Sequence, residues 1–487
     1  MRLMIPRYDA SDVIGLPASG QCITISNSEI GWMSCLKKHW FGFIEGMESG
    51  STIRMDIGNG WDEVMGDVAT WWMERDTPYR ESFLTTCAWC VDGVDMLLCD
   101  HCRGDGLGPW QRAVEPWQDM VDAGQMGEDD MEQARETLFR MAVGYIHRHQ
   151  GGPLQTIKIV AVQQSVARAI INPATGKPYR PETFMRVLPG GEMVLARTGD
   201  LTEAGQHEIV KVAWPVYQVG KIDVLGADRR TNAGWVIDSK STIQPSGFVG
   251  RLGVDPQLPG YCWVLEPHLE HFGLNGIAGF FYDIASTAMQ RNPKELKWKP
   301  PLMGDLRAMA KERGIVPAGK KSEDFLEALG IEAQHGGFSL AQSGTNASCP
   351  TWRFEAAIKA AGLNEDDYSD HLDWAFAEVD PKFYRREFET YGDTALNRYE
   401  REVFAKARTW AAQRRHAVRA QDEVDIDVRF PRTPICTIGN RGCSFRGPCS
   451  QDSPESREGY DVREVLRWAP DDEEEASGEQ TFDWGRF

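Results

Sequence analysis

The stretch GWVIDSKST, residues 234–242, decides how this chain is read. Its β-branched and apolar run predicts a strand, and in a strand residues two apart point to the same face. Asp238 and Lys240 therefore project together beside Val236. A surface ion pair on an edge strand would look the same, and composition alone supplies about one D-x-K in a chain of this length. The neighbouring sequence has to separate the two readings.

Upstream, HEIVKVAWPVYQVGKIDVLG at 207–226 is a second β-rich run, and GADRRTNAG at 226–234 joins it to the first as a hairpin. Asp223 lies on that preceding strand, so the hairpin brings two carboxylates together. Carboxylates on adjacent strands make a hard oxygen site suited to Mg²⁺ or Mn²⁺. A lysine beside them can orient a water nucleophile or stabilise the charge that builds on a phosphate under attack. Downstream, VDPQLPGYCWVLEPH at 254–268 predicts a helix on which Gln257 and Tyr261, four apart, share a face.

This order, an aspartate, then D-x-K, then Q-x-x-x-Y on the next helix, resembles the RecB-like branch of the PD-(D/E)XK nucleases, of a phage-like kind. The resemblance implies an α/β fold with a restriction-endonuclease-like core, a central mixed sheet flanked by helices. It implies a metal-dependent DNA nuclease, an exonuclease of recombination, repair or phage DNA replication. Asp223 and Asp238 would hold Mg²⁺ or Mn²⁺, Lys240 would assist the attacking water, and Gln257 and Tyr261 would position DNA. The family carries a metal-binding histidine on an early helix; in GNGWDEV, residues 58–64, Asp62 stands there, and aspartate is itself a ligand for these ions. Arg385 and Arg386, in KFYRREF at 382–388, match an arginine pair of similar phage nucleases and imply DNA contacts. The alternative is a DNA-end-binding or scaffold protein whose nuclease site is weakened.

Eight of the eleven cysteines fall into two sets. Cys87, Cys90, Cys99 and Cys102 form two CxxC knuckles, the spacing of one tetrahedral Zn²⁺ site. Cys436, Cys443 and Cys449 lack a fourth partner. Several RecB-like nucleases, the AddB and CRISPR-adaptation types among them, close a [4Fe-4S] cluster with one N-terminal and three C-terminal cysteines, which implies Cys35 here. The first gap is wider than in those nucleases, and the same four thiolates could hold zinc. Cys22, Cys262 and Cys349 read as packing residues.

The expected organisation is an N-terminal helical part at 1–80 and a zinc insertion at 81–110. The nuclease core follows at 111–290 and a helical region with an insertion at 291–435. The cysteine cluster at 436–450 would close onto Cys35, ahead of an acidic disordered tail at 468–487. DDMEQARETLFRMAVGYIHRH, 129–149, reads as a helix acidic at its start and basic at its end. IKIVAVQQSVARAII and IAGFFYDIAST read as strands.

The net charge of −19 excludes nucleic-acid binding through the global field and leaves it to local cations and bound metal. The basic helix at 401–419 could track a DNA backbone or be a solvated face. The acidic tail could dock replication or recombination proteins. No apolar run approaches the roughly 20 residues of a bilayer span, and the start lacks a signal-peptide core, so a cytoplasmic protein is expected.

Overall fold

The computed structural model describes residues 13–19, 21–33, 35–44, 47–49, 53–93, 99, 101–102, 105–149, 155–188, 193–201, 208–249, 257–288, 303–330, 349–420, 430, 449 and 460–462. At its centre is a mixed six-stranded sheet. Its strands are β1 (Ile23–Ser26), β2 (Ile157–Ala169), β3 (Val216–Asp228), β4 (Ala233–Thr242), β5 (Gly276–Ser286) and β6 (Tyr384–Glu389).

The spine is β3. One edge pairs along its length with antiparallel β2. The other edge is shared: parallel β1 takes Val216–Val219, and antiparallel β4 takes Val224–Ala227. β4 then runs parallel to β5, and β5 antiparallel to β6. A separate three-stranded sheet is built from Thr183–Val187, Met193–Leu195 and Glu208–Val212. The expected hairpin between β3 and β4 is therefore present.

Helices cover both faces. The labels are α1 (Asn27–Trp32), α2 (Ile53–Arg75), α3 (Pro109–Asp122), α4 (Glu128–His149), α5 (Gln257–Leu265) and α6 (Asp393–Val418). On one face Val236, Phe280, Tyr282 and Ile284 pack against Leu258 and Trp263 of α5 and Val403 and Trp410 of α6. On the other, Val224, Ile237 and Phe281 meet Ala69 of α2. α2, α3 and α4 share a further core with the four-cysteine module. Cys22, Cys262 and Cys349 are buried, as packing residues should be.

Local chemistry explains several boundaries. Ser26 caps α1, its hydroxyl accepting from Glu29 N at 3.1 Å. α4 begins with Glu128, Asp129 and Asp130 and ends with His147, Arg148 and His149, matching the helix dipole.

Two expectations are corrected. GNGWDEV predicts a helix from about Asp62 through WWMERD, but α2 starts at Ile53 and runs through Gly58 and Gly60, of which Gly60 serves a close approach. A Cβ on Gly60 would lie 2.6 Å from Leu138, and one on Gly58 would lie 3.5 Å from Ser241 Oγ. The region 291–435, expected to be helical, supplies the sheet's edge strand β6, whose pairing with β5 overrides a charged sequence, YRREFE. The calls on Cys436, Cys443 and the tail at 468–487 lie outside the described residues.

Among the described residues no helix is long and apolar enough to cross a membrane.

Candidate functional site

The β1 ladder on β3 ends at Ser26–Val219, and the β4 ladder starts at Ile237–Val224. Residues 220–223 of β3 therefore face a fork between two diverging strands. Continuing the antiparallel register by one rung would set Asp238 opposite Asp223. The ladder stops there, and the fork holds the two carboxylates.

Asp238 is 1% exposed, and its Oδ2 lies 2.5 Å from Lys240 Nζ. Lys240 and Asp223 both reach Asp238 within hydrogen-bonding range, although Oδ2 makes no bond of good geometry. Burial raises the pKa of Asp238 above the carboxylate range, and repulsion from Asp223 adds to the rise; Lys240 opposes it only in part. Asp223 is raised by the same burial, with Asp62 adding to it and Lys240 and Lys221 working against it. Lys240 shifts upward even though burial opposes its charge, because Asp238 and Asp223 both favour the ammonium. The site thus gathers more buried carboxyl groups than it readily ionises without a cation, with a lysine at its edge.

α5 closes one side. Gln257 Nε2 donates to Tyr261 Oη at 2.7 Å, and the Tyr261 ring is so close to β3 that a Cβ on Gly220 would sit 3.0 Å from it. Tyr261 is felt electrostatically by Lys240, and burial beside Asp238 and Asp223 keeps its phenol protonated. Pro259 is harmless in the first turn, where its missing N–H has no intrahelical partner. Gly260 is required: a Cβ there would come 2.7 Å from Tyr399 Oη and 3.0 Å from Asn27 Oδ1. Gly260→Ala is accordingly expected to lower stability by about 1–3 kcal/mol through overpacking, read by thermal unfolding; an unchanged midpoint would show that α5 is loosely seated.

α2 covers the other side and carries Asp62 close enough to raise the pKa of Asp223 and favour the Lys240 ammonium. Asp62 does not complete a tight three-carboxylate cluster, however. Among the described residues, the only group of three or more Cys, His or acidic ligands within 4.8 Å of one another is Cys87, Cys90, Cys99 and Cys102.

In that module Cys87 Sγ and Cys99 Sγ are 3.7 Å apart, and Cys90 Sγ and Cys102 Sγ 3.5 Å. Four convergent thiols of this kind can hold a metal ion. The module is tied to α2: Trp89 Nε1 donates to Glu74 Oε2 at 2.6 Å, and His101 stacks on Trp89 at 3.6 Å between ring centroids.

No known family model matches the chain, and no curated protein is significantly similar to it. The assignment of roles rests on the geometry.

The two arginines separate. Lys240 pairs with Ile284, and Ile284 with Arg385, so Lys240 and Arg385 lie in one cross-strand row, roughly 10 Å apart across two strand spacings. Arg385 donates to Glu387 at 2.6 Å and is partly exposed. Arg386 points to the opposite face. It is largely buried and donates to Asp283 Oδ2 at 3.0 Å and to Tyr145 Oη at 2.9 Å. The shared role expected for the pair is therefore revised: a residue locked into this network is a strut of β6, and the side chain on the Lys240 face is Arg385. Arg386→Ala is expected to lower the unfolding midpoint because it strands the buried Asp283 carboxylate; Arg385→Ala is expected to leave it within about a degree. Equal thermal effects would contradict the division.

Cys35 is buried, and Cys449 packs beside Leu36 in a small core with Trp40, Phe41, Ala417 and Phe430. Met47–Ser49 also pairs with Tyr460–Val462. The early and late segments are thus brought together.

Sequence reasoning missed Lys221, whose charge acts on Asp223. Its position two residues before Asp223 in GKIDVLG was the available signal. It also missed Gln163, whose significance shows only in the backbone.

Proposed function

We propose that this chain is a divalent-metal-dependent DNA nuclease of the RecB-like PD-(D/E)XK type, acting as an exonuclease. The observation that carries the reading is the fork in β3, where Asp223 and Asp238 occupy the first unpaired rung with Lys240 beside them and Tyr261 facing in. The donor set fits Mg²⁺ or Mn²⁺: two hard carboxylates, one with a buried oxygen lacking a well-formed hydrogen bond, and Asp62 nearby. When bound, such an ion supplies charge neutralisation and Lewis acidity at a phosphoryl oxygen.

The chain's own groups do the rest. Lys240 keeps its proton, orients the attacking water and stabilises negative charge at the phosphate. Gln257 holds the Tyr261 hydroxyl in place, and the pair faces the scissile region from α5. Arg385, in the Lys240 row, contacts a backbone phosphate further along the strand. The four-cysteine module holds Zn²⁺ in a structural role, since a tetrahedron with bonds of about 2.3 Å has sulfur–sulfur edges of roughly 3.8 Å. Cys35 and Cys449 belong to an iron–sulfur or zinc staple completed by Cys436 and Cys443.

The test is digestion of 5′- and 3′-labelled linear DNA, single- and double-stranded, with Mg²⁺ or Mn²⁺ and with chelator. Metal-dependent release of nucleotides from an end is expected. The failure of Asp62 to close a three-carboxylate cluster favours a second reading, a DNA-end-binding protein with a weakened site. Tight binding of labelled ends with no product under any metal would establish it and refute the nuclease.

A further inference from the structure

Among the described residues three non-glycine residues have positive φ: Asp76, Gln163 and Asn232. Asp76 follows the last residue of α2, and Asn232 lies in the turn between β3 and β4, where such angles are ordinary. Gln163, at φ 53°, stands inside strand β2. A left-handed glutamine within a strand costs free energy and persists only where the surroundings impose it.

The one register shift between β2 and β3 lies between Ile159 and Ala161, and beyond it the ladder runs in unbroken register past Gln163. The β2–β3 register runs Val162–Val224 and then Gln164–Ile222, so Gln163 and Asp223 fall on the rung between them. Both strands also change facing at this rung. Ile222 and Val166 pack toward α5 and α6, yet Leu225 and Ala161 pack there too, while Val224 turns toward α2. A regular strand alternates faces, so residues three apart cannot share one. Counted from Ile222, Asp223 would point toward α2; counted from Leu225, it points to the side of Asp238 and Lys240, and it interacts with both, as well as with Asp62 of α2. α2 also approaches here: Gly66, one helical turn from Asp62, is where an added Cβ would lie 3.3 Å from Gln163 Nε2.

We propose that Gln163 is a positioning residue whose left-handed backbone shifts the phase of the β2–β3 pair by one residue and so turns the Asp223 carboxylate into the fork. Paired strands must change phase together, and β2 absorbs the change at Gln163 while β3 absorbs it at Asp223. The role of Asp223 as a metal ligand rests on the function proposed above.

Three variants test this by Mn²⁺ titration calorimetry, thermal unfolding and hydrolysis of labelled linear DNA. Gln163→Gly and Gln163→Asn tolerate the left-handed region. They are expected to keep Mn²⁺ affinity within about twofold, and the glycine variant to melt no lower than the parent. Gln163→Val is β-branched and excluded from that region; it is expected to weaken Mn²⁺ binding by roughly tenfold or more. Wild-type Mn²⁺ affinity in Gln163→Val would overturn the proposal. So would an equal loss in the glycine and asparagine variants, which decides the matter even where the valine variant fails to fold. If the parent protein binds Mn²⁺ but leaves DNA intact, the nuclease reading fails and the positioning role still stands or falls on the three affinities. A parent that binds no Mn²⁺ removes both.

Discussion

Asp238→Asn is expected to cut metal-dependent DNA hydrolysis by on the order of 10²–10³-fold or more, while the metal-free protein melts at the same temperature as the parent or higher. The two effects have one cause. Asp238 is buried, and burial together with Asp223 raises its pKa despite Lys240. Replacing it with a neutral isostere removes the repulsion between the two carboxylates, while the Asp223 charge continues to favour the Lys240 ammonium, so the lost Lys240–Asp238 pair is offset in the metal-free fold. A divalent ion reverses the balance, because it stabilises the ionised carboxylates, and the variant should gain less thermal stability from Mn²⁺ than the parent does. Lys240→Ala should also lose hydrolysis, but it strips Asp238 of its ion-pair partner and leaves only the Lys221 charge acting on Asp223, so it should melt lower in the absence of metal. Opposite thermal signs with a shared loss of turnover mark a catalytic cluster. Parent-like turnover in Asp238→Asn would end the assignment, and a marked drop in its melting temperature would make Asp238 a structural residue.

The features that announce this site in the sequence act over short range. The D-x-K face needs only strand alternation, the hairpin needs only a turn-rich join, and the Gln257–Tyr261 face needs only helical spacing; each is present. The four-cysteine convergence follows from knuckle spacing in the same way. What was hidden depends on partners distant in the chain. β6 reads YRREFE with charge on both faces, and only the neighbouring β5 makes it a strand. Arg385 and Arg386 are adjacent in sequence, yet the pleat sends one to the Lys240 face and the other into a buried network with Asp283 and Tyr145, residues 103 and 241 positions away. The early start of α2 was obscured by two glycines, of which Gly60 is there for close contact with Leu138. The phase change at Gln163 leaves no compositional trace, since glutamine is not a residue that signals a left-handed backbone.

Cys99→Ser should release the metal of the four-cysteine module and destabilise the half of α2 beyond Asp62, leaving α5 intact. The module and α2 share one core: Trp89 packs edge-on to Trp71 at 5.5 Å, and Cys87, Cys99 and Cys102 are buried in the cluster that contains Trp61, Val64 and Val68. Polar ties reinforce it, from Trp89 and His101 to Glu74 and from Arg75 to Asp92. Without metal, burial raises the Cys87 thiol to about 11, and the two knuckles are held to each other by weak sulfur contacts, Cys87 to Cys99 and Cys90 to Cys102. A bound ion at a thousandfold excess over its Kd contributes about 4 kcal/mol to the folded state by linkage alone, a large share of the net stability of a domain. The variant should therefore contain one metal ion fewer per chain and melt several degrees lower. Amide exchange should accelerate over 67–75 and 87–93 and stay unchanged over 257–265. Hydrolysis should fall less than in Asp238→Asn, because Asp62 is displaced while Asp223, Asp238 and Lys240 keep their strands. Full metal content in the variant would refute the module as a metal site. Metal loss with unaltered exchange over 67–75 would show that the module is an independent appendage with no hold on the helix that carries Asp62.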